Sequence, residues 1–222
     1  MRGCFEFQNF LAQPMKKVLS TMMVLAAVAG FAGAARAQDA NAGAGKVAMC
    51  IGCHSIPGYQ SSFPEVHKVP MIAGQGAKYI VAALNAYKKG ERKHPTMRGI
   101  AESLSEQDMA DVAAYYEALP KDVQPVAEQP ARQPSAEVAA LLQKGACVSC
   151  HGANFSKPID GSYPKIAGQH SDYLYVALKS YKTDSSPYIG RANAIMAGQV
   201  KQFTNAELKA MAEYIGSLPG EL

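Results

Sequence analysis

The strongest constraint on the fold is a duplication. The segment "VPMIAGQGAKYIVAALNAYK" (69–88) recurs as "YPKIAGQHSDYLYVALKSYK" (163–182) at a constant offset of 94 residues. Further on, "PTMRGIAESLSEQDMADVAAYYEALP" (95–120) recurs as "AIMAGQVKQFTNAELKAMAEYIGSLP" (194–219) at an offset of 99. Cys50 and Cys147 stand 97 apart. Offsets that drift by a few residues place insertions in loops between shared elements, as in two copies of one domain. Between the copies, "PKDVQPVAEQPARQPSA" (120–136) holds four prolines and little apolar content, the composition of a linker. The predicted division is therefore 38–119, a linker over 120–136, and 137–222.

Each copy reads as helical. In "SEQDMADVAAYYEALP", Ser105 is a candidate N-cap followed by Asp108, Val112, Tyr115, Tyr116 and Leu119 recur at helical spacing, and Pro120 follows the end. Thr204 and Glu207 are placed for the same capping box in the second copy. The alanine-rich segments 77–88 and 171–182 carry Tyr and Leu at similar spacing, and Gly90 follows Lys88 and Lys89 as a helix stop. No run alternates strongly enough for a strand. The expected fold class is all-α, two small tandem helical domains. A domain of about 85 residues has a small core, so something large and apolar should fill it.

The first 37 residues read as an export signal. Lys16 and Lys17 precede an apolar run that closes on Ala35-Arg36-Ala37, and Met15 is the expected true start. Ser20, Gly30 and Gly33 interrupt the run, which favours a cleaved signal over a membrane anchor. The chain has 22 basic and 18 acidic residues; without Arg2, Lys16, Lys17, Arg36 and Glu6 the balance is 18 to 17. Near-neutrality argues against nucleic-acid binding.

Four of the five cysteines lie in "CIGCH" (50–54) and "CVSCH" (147–151), so none remains for a structural bridge. On a helix, cysteines three apart share one face one turn from each other. Such a pair captures the two vinyl groups of a haem as thioethers, and the adjacent histidine faces the iron: c-type haem attachment at Cys50, Cys53, His54 and at Cys147, Cys150, His151. A thioredoxin-like pair would need a βαβ context that is missing. A zinc shared by the two motifs would leave the repeated histidines unexplained. Two covalent haem c groups are the expected cofactors.

An electron-carrying iron needs a sixth ligand, and Met97 and Met196 align at the offset of 99 in the segment before the last helix. Met71 and Met109 align with Lys165 and Leu208, and His94 aligns with Asn193, so these are weaker candidates. His67 and His170 lack aligned partners and read as loop or surface histidines. Pro70 and Pro164 begin the shared P-x-I-A-G-Q segment. Each is either a plain turn proline or the carbonyl that orients a proximal histidine. The segments carrying the methionines differ in charge. Residues 87–101 hold Lys88, Lys89, Arg92, Lys93 and Arg98 against Glu91, whereas 181–200 hold Lys182 and Arg191 against Asp184. That asymmetry predicts a more positive potential at the first haem.

The two C-x-x-C-H motifs, the twin "IAGQ" segments, "IMAG" (195–198) and the "SEQDMADVAAYY" helix resemble the cytochrome c4 family of dihaem class I c-type cytochromes, over essentially all of 38–222. The resemblance implies two cytochrome c domains related by a pseudo-twofold, each around one haem, ligated by His54 with Met97 and by His151 with Met196. It implies a periplasmic, monomeric carrier of single electrons rather than an enzyme, with redox partners such as a bc1-type complex and a terminal oxidase, and with scope for peripheral membrane association. The alternatives are a cytochrome subunit of a periplasmic dehydrogenase complex and a haem enzyme. Two departures stand out: Ser55 follows His54 where Gly152 follows His151, with 55–69 longer than 152–163, and "PTMRGI" stands where the second copy has "AIMAGQ".

Overall fold

In the first repeat, α1 (Ala40–Ala44) and α2 (Ala48–His54) are followed by a hairpin of β1 (Gln60–Ser61) and β2 (His67–Lys68), then α3 (Ala77–Lys88), β3 (Arg92–Lys93), α4 (Pro95–Glu102) and α5 (Glu106–Glu117). The second repeat has α6 (Ala136–Lys144), α7 (Val148–His151), α8 (Ser171–Ser180), β4 (Gly190–Arg191), α9 (Ala194–Val200) and α10 (Asn205–Gly216). This computed structural model describes residues 37–119, 125–183 and 185–222. The export signal read over 1–37, apart from Ala37, and residues 120–124 of the linker lie outside the described residues.

Local chemistry accounts for the helices. The Asp39 carboxylate caps α1, accepting from the Asn41 and Ala42 N–H groups at 2.8 and 3.2 Å. Reciprocal capping boxes open α5 (Ser105 with Asp108) and α10 (Thr204 with Glu207), as the sequence predicts. Helix α3 ends at Lys88, and Gly90 adopts a φ of +74°, a left-handed turn that suits glycine.

Each repeat closes its own core. In the first, Ile80 and Leu84 of α3 pack with Met109, Val112 and Tyr116 of α5. Helix α1 crosses α5 so tightly that a Cβ on Gly43 would meet the Asp111 carbonyl oxygen at 2.1 Å. In the second, Leu142 of α6, Phe155 and Leu174 of α8 pack with Leu208, Met211 and Ile215 of α10. What remains of the linker is docked rather than free. Asn154 Nδ2 donates to the Ala127 carbonyl at 2.7 Å, and Tyr214 Oη to that of Arg132 at 2.8 Å.

The two cores lie within one compact unit, Gln38–Leu222, and the contacts between them follow the repeat. Gln75 Nε2 donates to the Lys165 carbonyl at 2.9 Å while its Oε1 accepts from the Lys165 N–H at 3.0 Å. Gln169 makes the mirror pair with Met71, at 2.8 and 3.0 Å. Antiparallel β3 and β4 place Arg92 opposite Arg191, and the Ala192 N–H donates to the Glu91 carbonyl at 2.7 Å. The sequence led us to expect no strands. These two-residue strands form where loops of distant segments meet, so no alternating pattern announces them.

Candidate functional site

Helix α2 carries Cys50, Cys53 and His54 in its last two turns; Cys147 precedes α7, which carries Cys150 and His151. All four cysteines are half-buried free thiols. Burial pushes the Cys50 and Cys147 thiols up. They are protonated until they react.

Both imidazoles are held the same way. His54 Nδ1 lies 2.8 Å from the Pro70 carbonyl oxygen, and His151 Nδ1 lies 3.0 Å from that of Pro164. A carbonyl only accepts, so each Nδ1 carries the proton and each Nε2 keeps its lone pair. Burial lowers both histidine pKa values, opposed by the bond to the proline carbonyl. Each ring is therefore neutral at pH 7, with its second nitrogen ready to bind a metal. Of the two readings of Pro70 and Pro164, the structure selects the orienting carbonyl.

Met97 sits in α4 and Met196 in α9, each at the third position after an N-cap. His94 Nδ1 accepts from the Met97 N–H at 3.4 Å, and Asn193 Oδ1 from the Met196 N–H at 3.0 Å. His94 thus has the same local task as Asn193, which explains its position without invoking ligation. Met97 packs against the first core with Cys50, Ile72 and Tyr87; Met196 packs against the second with Cys147, Ile166 and Tyr181. The structure therefore brings one cysteine and the candidate methionine of each repeat to the same core. Met109 is a fully buried core residue, and the backbone of Met71 is occupied by Gln169.

The residues present fit a haem. The Tyr116 hydroxyl, buried beside Cys50 and Ser55, has no partner at good hydrogen-bond geometry among the described residues. It is a polar atom inside the first core that would find one in a bound group. Among the described residues no three His, Cys, Asp or Glu side chains converge to hold a metal ion.

Sequence reasoning assigned no interface role to several residues that the structure places between the repeats. Gln75 and Gln169 are among the most buried polar groups, with exposures of 3% and 4%. Arg92 donates to the Tyr79 hydroxyl and Arg191 to the Tyr173 hydroxyl, both at 3.1 Å. Their signal was in the sequence: polar residues repeated in register. His67, expected in a loop or at the surface, instead lies in strand β2 and is buried at 5% exposure, stacked on Tyr173 of the other repeat.

The charge asymmetry behind the predicted potential gap also changes. Arg92 faces β4, and Lys93 Nζ donates to the Ser186 carbonyl of the second repeat at 2.7 Å. Arg98 is paired with Glu102 at 2.7 Å. Lys88 and Lys182 play equivalent parts, donating to the Leu104 and Phe203 carbonyls at 2.6 Å. Much of the first repeat's apparent excess is either shared across the interface or neutralised.

A family model described as cytochrome c matches residues 40–119 and 135–219. A cytochrome c4 from Stutzerimonas stutzeri is 32% identical over 216 residues, covering 92% of this chain and 100% of the relative. A thiosulfate dehydrogenase electron acceptor from Stutzerimonas stutzeri (strain A1501) is 31% identical over 186 residues, covering 79% and 82% of the two chains. The crystal structure of reduced recombinant cytochrome c4 from Pseudomonas stutzeri superposes with a TM-score of 0.56 at 29% identity, covering 82% of this chain and 100% of that one. The two helical repeats bind two covalently attached haem c groups and serve electron transfer. The chain belongs to the cytochrome c family, in its dihaem cytochrome c4 branch.

Proposed function

We propose that the chain is an exported periplasmic carrier of single electrons in which both irons have two protein ligands. Cys50 with Cys53 and Cys147 with Cys150 form the thioethers. His54 and His151 are the proximal ligands, Met97 and Met196 the distal ones. The bound haem supplies a one-electron ferric/ferrous couple. The protein's part is to bind, orient and shield it. The proline carbonyls hold the imidazoles in one tautomer and orientation, and each capped helix holds its methionine against the core. The observation that carries this reading is its repetition: a carbonyl-tied histidine and a methionine on a capped helix serve the same core in both repeats. If His54 with Met97 and His151 with Met196 hold the two irons, no position would be left for a substrate, which is why we read a carrier and not an enzyme.

Export follows from the leader, and no described helix is long and apolar enough to cross a membrane. The domain limits remain 38–119 and 137–222. The partners are a bc1-type donor and a terminal oxidase, with the chain working as a monomer. A second reading, acceptor for a periplasmic dehydrogenase, draws on the relative named as a thiosulfate dehydrogenase electron acceptor.

Pyridine spectra of the purified holoprotein test the ligands and role together with carbon monoxide titration. Two haems per chain and no carbon monoxide binding at neutral pH are expected. Met97→Ala should remove one of two upfield methionine methyl signals in the ferrous NMR spectrum and open one iron to carbon monoxide; Met196→Ala should remove the other. Native carbon monoxide binding would reject the carrier reading. Stopped-flow reduction by a bc1-type complex, compared with reduction by a dehydrogenase, separates the two partner readings.

A further inference from the structure

Arg92 and Arg191 pose an electrostatic problem that the protein alone does not solve. They are direct partners across the β3–β4 ladder, where like charges destabilise the pairing. Both guanidiniums are partly buried, and among the described residues neither has a carboxylate within ion-pair distance. Each instead donates to a tyrosine hydroxyl and lies over tyrosine rings. Arg92 is 5.2 Å from the Tyr79 centroid and 5.7 Å from that of Tyr87; Arg191 is 5.6 Å from Tyr173 and 5.5 Å from Tyr181. Ring faces and hydroxyls soften a buried cation but do not neutralise it.

The missing anions have one chemical source close by. Tyr87 packs on the core that holds Cys50 and Met97, and Tyr181 on the core that holds Cys147 and Met196. Through these rings each arginine adjoins the core that would hold the haem of its own repeat, and a haem c would bring two propionate carboxylates. Guanidinium is the side chain best matched to carboxylates. We infer that Arg92 and Arg191 form one shared cationic pair that balances the inner carboxylates of both haems, so that each arginine sets the potential of the haem in the other repeat as well as its own. They are positioning residues: they act on the iron through charge and do not touch it.

The sign follows from the couple. Ferric haem carries one more positive charge than ferrous, so a nearby cation favours reduction. Removing it, and leaving a carboxylate unbalanced, favours oxidation. The inference rests on the dihaem carrier reading, and haem content is measured first so that failure of that reading shows separately.

The experiment is redox titration of full-length, haem-loaded Arg92→Gln, with each midpoint assigned by the haem methyl NMR signals of its own domain. Both midpoints should fall, each by the equivalent of a three- to tenfold shift in the ferric/ferrous equilibrium, tenfold being about 59 mV for one electron. Arg191→Gln should do the same. Arg92→Lys, which keeps the charge but loses the planar fork, should recover most of the shift and covers the case in which the glutamine variant fails to mature. A change confined to the first haem would overturn the sharing. Unchanged midpoints in a chain carrying two haems, or a lysine variant that falls as far as glutamine, would overturn the electrostatic role.

Discussion

The two repeats solve the same problem after the haem motif with different chain lengths. In the second repeat Gly152 turns the chain sharply at a φ of +80°, and a Cβ there would meet the Lys157 carbonyl oxygen at 2.2 Å. Buried Asn154 then organises the short turn, accepting from the Ser156 and Lys157 N–H groups at 2.9 and 3.1 Å. In the first repeat Ser55 has a φ of −111°, which any residue adopts, and the chain runs on into the β1–β2 hairpin. That longer segment is a strap onto the second repeat. The Lys68 N–H donates to the Asp172 carboxylate at 3.0 Å, Lys179 pairs with Glu65 at 2.5 Å, and His67 stacks on Tyr173. The sequence departures at Ser55 and Gly152 are thus two ways of leaving one motif: one closes its own domain, the other reaches across. A duplicated domain has kept its cofactor frame and spent its differences on the interface.

Swapping the residue after each histidine should break this comparison most strongly. Gly152→Ser forces a side chain into a left-handed backbone and against a carbonyl, so it should cost about 1–3 kcal/mol from the backbone conformation alone, with the clash in addition. Ser55→Gly should stay within about 1 kcal/mol of the parent. Thermal unfolding of the holoproteins, followed by Soret absorbance, checks both; equal losses would mean that the turn at Gly152 is not specific.

A second asymmetry is acid sensitivity. Lys46 bridges Asp108 and Asp111, both at 2.7 Å, and Asp111 also accepts from the Asp39 N–H at 3.1 Å, tying α1 to α5. Helix α6 lacks this tie, because Gln143 and Ala210 stand where Lys46 and Asp111 do. Hydrogen bonds from Lys46 hold both carboxyls below their ordinary range. A depressed folded pKa means that the unfolded chain binds more protons in acid. The stabilisation is full above about pH 5 and is lost as pH falls through the unfolded carboxyl range near pH 4 toward the folded values. Hydrogen exchange read by mass spectrometry should therefore show protection of α1 dropping between pH 5 and pH 3 by more than that of α6. Lys46→Gln should make the two helices alike; an unchanged difference would exclude this network as its source.

The smallest effect belongs to the strap's ion pair. Glu65 is 44% exposed and Lys179 26%, so Glu65→Gln should cost no more than about 1 kcal/mol. Urea unfolding at low and high salt tests this, since screening should shrink the difference between variant and parent. A difference that persists at high salt would assign the strap's contribution to His67 and the Lys68 backbone instead.

Much of this molecule could be read along the chain because it depends on near neighbours. The capping boxes at Ser105 and Thr204, the stop at Gly90 and the spacing of Cys50, Cys53 and His54 each involve residues within about one helical turn. The duplication added a second reading of every such pattern, and it singled out Met97 and Met196 before any fold was known. Tertiary structure decided what depends on partners beyond a helical turn, from the proline carbonyls 16 and 13 residues from their histidines to interface partners 90 or more residues away. It turned Pro70 and Pro164 from ambiguous turns into carbonyls that orient imidazoles and buried His67 against the other repeat. It also moved Arg92 and Lys93 from one repeat's charge balance to the boundary between two. The physical reason is range. Capping and periodicity act within a turn of helix, whereas the worth of a charge or a buried amide is set by whatever the folded chain places beside it.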